Sequence, residues 1–137
     1  LAWADQHGVL QFVKNLPDGL DTIVGDDGAF LSPGQRQQVI CARAVLTKRS
    51  LYIFDEVTSS VDQDNEGLIY DLINLVTKDA IVIIITHKMK QVEQAADILF
   101  LSAEGAVTGS HTTLYQTSSA YGQLVDQQRE LEEAVYG

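Results

Sequence analysis

Apolar residues along this chain switch between helical and strand spacing, and the switches outline its elements. Over residues 2–15, Val9, Leu10, Phe12 and Val13, with Leu16 just beyond, give one apolar stripe and predict a helix. Pro17-Asp18-Gly19 ends that helix as a turn, and Gly25-Asp26-Asp27-Gly28 predicts a short flexible stretch. Ser32-Pro33-Gly34-Gln35 then reads as a helix start. Ser32 is the expected N-cap, Pro33 occupies the first helical position, and Gln35 completes a capping box. The pattern carries this helix to about Lys48, with Val39, Ile40, Ala42, Val45 and Leu46 as its expected buried side. Lys48 and Arg49 suit the negative end of its dipole.

Leu51-Tyr52-Ile53-Phe54 follows as a short apolar strand ending in Asp55-Glu56. A second helix, from about Asp62 to Thr77, places Leu68, Ile69, Leu72, Ile73 and Val76 on one face. It leads into residues 81–86, apolar on both faces and rich in isoleucine, which reads as a central parallel strand covered on both sides. Strand, helix, strand in this order is a βαβ unit with an expected right-handed crossover. A short helix over 89–96, a hairpin built from 98–101 and 106–108 around Glu104-Gly105, and a polar helix over 121–135 complete the pattern. On that last helix Tyr121, Leu124, Val125 and Leu131 share a side. The expected class is α/β, with a mostly parallel sheet flanked by helices.

Composition narrows the possible partners. The 137 residues suffice for one domain, and 45% hydrophobic against 20% charged is an ordinary globular balance. Nineteen acidic against nine basic residues give a net charge of −10, which argues against a nucleic-acid surface, since that needs a basic face to displace counterions. Binding a single nucleotide remains compatible with it. The lone cysteine, Cys41, excludes an internal disulfide framework and a thiolate zinc cluster, and makes the reducing cytosol the default compartment. The longest apolar run, residues 80–85, is far short of a membrane span, and the first residues lack a signal-peptide pattern.

Three places have polar residues positioned for chemistry. In a parallel α/β sheet, ligands bind at the carboxyl ends of strands. Asp55-Glu56 ends the first strand there and His87 follows the second. An acidic pair at such a tip suits a magnesium-nucleotide site, one carboxylate holding the metal's water shell and its neighbour orienting or deprotonating a water. The same pair also reads as the start of a polar loop. His87 reads equally as a hydrogen-bonded structural residue. Residues 32–35 read either as a plain helix cap or, with a hydroxyl and a glycine at a helix start, as an anion site.

Taken in order, Leu31-Ser32-Pro33-Gly34-Gln35-Arg36-Gln37, Ala42-Arg43-Ala44, Leu51-Tyr52-Ile53-Phe54-Asp55-Glu56, Thr58-Ser59-Ser60-Val61-Asp62 and Thr86-His87 resemble the nucleotide-binding domain of ABC transporters. Leu16-Pro17-Asp18-Gly19-Leu20-Asp21-Thr22 and Val24-Gly25-Asp26-Asp27-Gly28 resemble the segment before the signature in exporter-type members. The resemblance covers essentially the whole chain and implies a P-loop NTPase-like fold. Residues 1–30 would be the end of the helical subdomain and the loop before the signature. Residues 31–137 would supply the signature helix, Walker B strand, D-loop, H-loop and C-terminal helices.

The resemblance also implies roles. Ser32, Gly34 and Gln35 of the signature would contact the γ-phosphate of an ATP held mainly by an opposite domain. Asp55 would be the Mg²⁺-associated carboxylate and Glu56 the general base for the attacking water. Ser59, Ser60, Val61 and Asp62 would form the D-loop, which passes signals across the dimer. His87 would be the switch histidine, and Asp26 would face the coupling helices of a membrane domain. The implied cofactors are ATP and Mg²⁺. The implied partners are a second ABC ATPase domain, as homo- or heterodimer, and a transmembrane domain, with no nucleic acid. The implied location is the cytoplasmic face of the cell membrane.

Two departures stand out. Pro33 lies where the family usually has glycine and removes one backbone N–H from the signature. The sequence has no Gly-Lys pair, so the phosphate-cradling G-x-x-x-x-G-K-[ST] loop is missing, together with the adenine-stacking aromatic and the glutamine loop. All three belong to the N-terminal half of the domain, so the expectation is the C-terminal portion of a longer protein. Alone, the chain is expected to hydrolyse no ATP, and to be weakly stable or to self-associate through strand edges and an apolar face left open. Two other functions fit the motifs: a non-transport ABC ATPase acting on nucleic acid or ribosomes, which the acidic charge disfavours, and a catalytically silent regulatory ABC module.

Overall fold

At Ser32 the backbone is extended and the side chain closes the next turn. In this computed structural model the Ser32 hydroxyl oxygen accepts the Gln35 N–H at 3.2 Å, and the Gln35 side-chain oxygen accepts the Ser32 N–H at 3.0 Å. This is the expected capping box, with proline at the first helical position where no N–H is missed, and it starts α1, Pro33–Leu46. The helix stops sooner than the expected Lys48. Thr47 donates its hydroxyl to the Ala44 carbonyl at 2.6 Å, and Lys48 takes left-handed backbone at φ 48°.

The structure describes residue 8 and residues 10–136, without the side chains of 132–136. They form two units, one ending at Ile85 and one starting at Thr86.

In the first unit β1, Leu51–Asp55, pairs in parallel with β2, Ile81–Ile85, in a register that sets Leu51 against Ile81 and Asp55 against Ile85. Between them runs α2, Gln63–Asn74, capped by Asp62, and it packs on α1. The unit's core joins Cys41, Ala42 and Val45 of α1, Tyr52 and Phe54 of β1, Val57, and Ile69, Leu72 and Ile73 of α2. The Tyr52 hydroxyl ties the end of α1 to the start of β1, accepting the Arg49 N–H at 2.8 Å and donating to the Val45 carbonyl at 3.4 Å.

Three expectations for this unit need correction. The buried side of α1 is Gly34, Gln38, Cys41, Ala42 and Val45, whereas Val39, Ile40 and Leu46 are exposed. The true stripe repeats every three or four residues from Gly34, and the exposed residues fall outside it. The first predicted helix is not continuous either. Leu10 sits in left-handed backbone at φ 59°, which breaks an α-helix, and a 3₁₀ turn over Gln11–Asn15 follows with Val13 buried. Residues 2–7 of that prediction and Val9 lie outside the described residues, and Gly8 is itself left-handed at φ 67°. Finally, β2 is not covered on both sides. Ile81, Ile83, Ile84 and Ile85 are all exposed, and Leu51 and Ile53 share the face of Ile81, Ile83 and Ile85, so one side of the sheet is bare. Burial on β1 alternates, with Tyr52 and Phe54 inside and Ile53 61% exposed.

The second unit begins with α3, Met89–Val92, shorter than the expected helix to residue 96. The predicted hairpin is present as β3, Ile98–Ser102, antiparallel to β4, Gly105–Gly109. An unpredicted short helix, α4, His111–Thr117, starts where Ser110 accepts the Thr113 N–H at 3.2 Å. The last helix, α5, Ser119–Tyr136, is longer than predicted. Met89, Ile98, Leu114, Tyr121 and Val125 form this unit's core. Leu131, expected on the apolar side of α5, is 59% exposed. Among the described residues no helix is long and apolar enough to cross a membrane.

Candidate functional site

The carboxyl end of the parallel pair is built by a backbone hydrogen bond one residue past the strand. The Glu56 N–H donates to the Ile85 carbonyl at 2.9 Å, so Glu56 is held against the end of β2. It then turns sharply into left-handed backbone at φ 43°. That conformation costs a non-glycine residue about 1–2 kcal/mol and persists where surroundings impose it, most often at functional positions. Its carbonyl accepts the Ser59 N–H at 3.0 Å, closing the turn. Asp55, the last residue of β1, and Glu56 are both exposed, so the acidic pair stands at the open tip of the sheet.

The turn is anchored underneath. Val57 and Thr58 are buried, and the Thr58 hydroxyl lies 3.3 Å from the Tyr70 hydroxyl on α2. Ser59 and Ser60 are exposed and Val61 is half-buried. Asp62 ends the segment as the cap of α2, its carboxylate accepting the Asn65 N–H at 3.0 Å and the Asn65 side-chain amide at 2.7 Å. These two bonds, the backbone one first, hold its carboxyl below the usual aspartate value. The D-loop expected from sequence is thus fixed to α2 at both ends.

The start of α1 leans on the same helix. At Gly34, an added Cβ would lie 2.7 Å from the Asn65 side-chain carbon, so this glycine is what lets the two helices approach. One turn further, Gln38 is only 3% exposed, and its amide nitrogen donates to the Asn65 side-chain oxygen. Its oxygen accepts the Leu10 N–H at 3.2 Å. The cap uses the Ser32 oxygen as an acceptor and leaves the hydroxyl proton for another partner, and the Gln35 amide nitrogen is likewise outside the cap. Ser32 is exposed, Gln35 half-buried, and Pro33 offers no N–H.

Asp26 is exposed in a tight 3₁₀ turn, Asp26–Gly28. The turn is framed by Gly25 at φ 76° and closed by the Phe30 N–H donating to the Val24 carbonyl at 3.0 Å. His87 belongs to the second unit and is exposed, two residues beyond β2 along the chain. Its turn is held by Thr86, whose hydroxyl donates to the Gln91 side-chain oxygen at 2.7 Å and accepts the Lys88 N–H at 3.1 Å. The first unit therefore gathers Ser32, Gly34, Gln35, Asp55, Glu56, Ser59, Ser60, Val61 and Asp62 around α1, α2 and the tip of β1.

Sequence reading placed Thr58 in a motif and assigned no role to Thr58, Gln38 or Asn65. Asp62 followed three residues later by Asn65 was a legible cap, but nothing in the apolar pattern marks a buried glutamine. As for a metal, no group of three or more His, Cys, Asp or Glu side chains among the described residues is arranged to hold one. A single exposed carboxylate at a strand tip fits magnesium that arrives with nucleotide phosphates and keeps its waters, and does not fit a dedicated protein cage. Cys41 is no alternative ligand: burial pushes its thiol from 9.0 up to about 11.

No family model matches the chain. It is 39% identical over 129 residues to an ATP-dependent lipid A-core flippase of Haemophilus influenzae, a match that spans 93% of this chain and 22% of the relative. It is also 39% identical over 123 residues to the protein of that name in Vibrio cholerae, spanning 88% of this chain and 21% of that one. An ABC-type transporter, fsqE, of Aspergillus fumigatus is 35% identical over 125 residues, which is 90% of this chain and 10% of the transporter. The fold aligns with the solved structure of a bacterial Atm1-family ABC exporter with ATP bound, at a TM-score of 0.80 and 30% identity, over 93% of this chain and 22% of that one. The chain thus spans about a fifth of the length of the flippases it matches.

Proposed function

Because this chain is a relative of the ABC exporters in sequence and in fold, with the make-up of a partial ABC ATPase domain, we propose that it is the C-terminal part of an exporter's ATP-hydrolysing domain. In that role it couples Mg-ATP hydrolysis to transport across the cell membrane, and works at the cytoplasmic face beside a transmembrane domain and a second ATPase domain.

The observation that carries this reading is Glu56. A carboxylate on strained left-handed backbone, tied to the end of β2 and next to Asp55 at the tip of the sheet, is placed to act on a water at a strand terminus. Glu56 accepts a proton from that water as the water attacks the terminal phosphorus and the bond to the bridging oxygen breaks, releasing ADP and phosphate, and later returns the proton to solvent. Asp55 would hold a magnesium ion arriving with the nucleotide, through the ion's waters, and the ion would supply charge to offset the phosphates. Ser32, through its free hydroxyl proton, Gly34 and Gln35 bind the γ-phosphate of an ATP seated on the partner domain. Ser59, Ser60, Val61 and Asp62 report the state of that partner. His87 contacts the γ-phosphate in its own domain, and Asp26 faces the transmembrane domain.

With no Gly-Lys loop to cradle phosphates, the 137 residues alone bind Mg-ATP weakly and turn none over. Glu56→Gln, made in the full natural protein that carries this chain, tests the central claim. We expect ATP turnover to fall about 10²–10⁴-fold, the usual contribution of a general base, while ATP binding is retained. Turnover at the wild-type rate would sink the reading and favour a silent regulatory module.

A further inference from the structure

Gln38 is a nearly fully buried amide whose hydrogen bonds run in a fixed direction. The Leu10 N–H donates to its oxygen, its nitrogen donates to the Asn65 oxygen, and the Asn65 nitrogen donates to the Asp62 carboxylate. Every group in this row meets its complement, and the order cannot be reversed without an oxygen facing an oxygen. Asp62 caps α2 and Asn65 lies in its first turn, while Thr58 is anchored to the same helix two turns on, through Tyr70. Gly34 adds steric contact, since Asn65 fills the space a Cβ would need. The signature turn and the D-loop therefore rest on one side chain, Asn65, from opposite sides.

We propose that Gln38 and Asn65 are positioning residues that lock the start of α1 and the turn after β1 into one register, so that Ser32 and Gln35 move together with Ser59 and Asp62. Contact of a partner's nucleotide with the signature is then transmitted to the D-loop by a polar relay within this chain. The inference rests on the roles proposed above for those two segments. It adds residues to which those roles assign nothing.

Because the relay has a direction, isosteric changes test it with little change in volume. Gln38→Glu still accepts the Leu10 N–H but turns an oxygen toward Asn65, which must flip and face Asp62 with its own oxygen. Asn65→Asp keeps the bond from Gln38 and loses the bond to Asp62. Gln38→Glu combined with Asp62→Asn keeps the Leu10 N–H as donor and reverses the two bonds at Asn65, so that every bond is restored. In the full natural protein we expect Gln38→Glu and Asn65→Asp each to lower kcat about 3- to 30-fold, the range seen when a coupling element is disturbed. The KM for Mg-ATP stays within about twofold, since neither residue touches nucleotide. The double variant turns over faster than Asp62→Asn alone, so that the rescue is read within the cycle of Gln38→Glu, Asp62→Asn and their combination.

Packing alone lowers thermal stability without moving kcat and without rescue, and that pattern overturns the proposal. If Glu56→Gln abolishes turnover while the relay variants stay at the wild-type rate, the relay fails and the hydrolytic reading stands. If the wild-type protein turns over no ATP, the hydrolytic reading fails, and amide exchange in the same protein decides the relay. Faster exchange at residues 59–62 in Gln38→Glu, reversed in the double variant, supports it, and unchanged exchange refutes it.

Discussion

Both units of this chain bury one side of a two-stranded sheet under helices, yet they use polar groups in opposite ways. In the first, the described polar contacts are directional and mostly neutral: a serine cap, an aspartate cap, and the amides of Gln38 and Asn65. They fix backbone beside the residues proposed to do chemistry. In the second, charge and aromatic edges clamp helices together. Arg129 donates to Glu93 at 3.0 Å, His111 lies 2.8 Å from the Tyr121 hydroxyl, Tyr115 donates to Asp126 at 2.7 Å, and the Arg129 guanidinium stands over the Tyr115 ring. Directional amides constrain both distance and angle. Exposed charges hold an orientation and yield to salt. Most of the candidate residues lie beside the directional set.

The largest expected effect probes the two cores. Leu72→Ala and Leu114→Ala, at positions nearly or fully buried, should each cost about 2–5 kcal/mol in urea unfolding. Leu72 belongs to the larger cluster and should stand higher in that range. A larger loss at Leu114 would invert the ranking of the units. Next comes Gly34→Ala, expected to cost about 1–3 kcal/mol because the new methyl meets Asn65. Asn65→Ala is itself destabilising, since it orphans the buried Gln38 amide, but in that background Gly34→Ala should cost little further, and simple additivity in the double-mutant cycle would show that the helices do not meet there. Glu56→Gly relieves about 1–2 kcal/mol of left-handed strain but removes the side chain's own interactions and adds chain entropy, so melting should shift little. A fall in melting temperature would mean that the side chain, rather than the turn, is what the fold needs.

The smallest effects come from pH, and they separate the units. Asp62 titrates below its ordinary 3.8 because Asn65 donates to its ionised form, so its contribution is complete above 3.8 and fades as pH falls through the lower folded value. Tyr115 is raised above 10.0 by its hydrogen bond to Asp126, and Tyr121 by burial. Their contributions are complete below pH 10.0 and fade as pH rises through the raised folded values. Amide exchange should therefore show acid loosening the first turn of α2 and alkali loosening α4 and α5. Acid loosening of α4 and α5 at the same pH would erase the distinction.

The sequence made legible whatever depends on neighbours along the chain. The Ser32 cap, the apolar face of α2, the β1 strand with its acidic end, and the β3–β4 turn all follow from local spacing. Features that depend on distant partners were not legible. Gln38 looks like a surface residue until Asn65 comes within reach of it, and Val39, Ile40 and Leu46 look like core until the helix is seen to turn Gly34 inward. The isoleucines of β2 look doubly covered because hydrophobicity records what a strand needs, while coverage depends on what is beside it. Likewise α4 has too few apolar residues to give a period, although Ser110 and Thr113 do mark its start.

The position of Cys41 makes this protein its own clock. Its thiol is 1% exposed at the centre of the first unit, and with its value at about 11, roughly one molecule in a thousand carries a thiolate at pH 8. A thiol-specific dye therefore reacts through openings that expose the first unit's core, local or global. The chain holds no other cysteine, so the colour that develops counts those openings and nothing else.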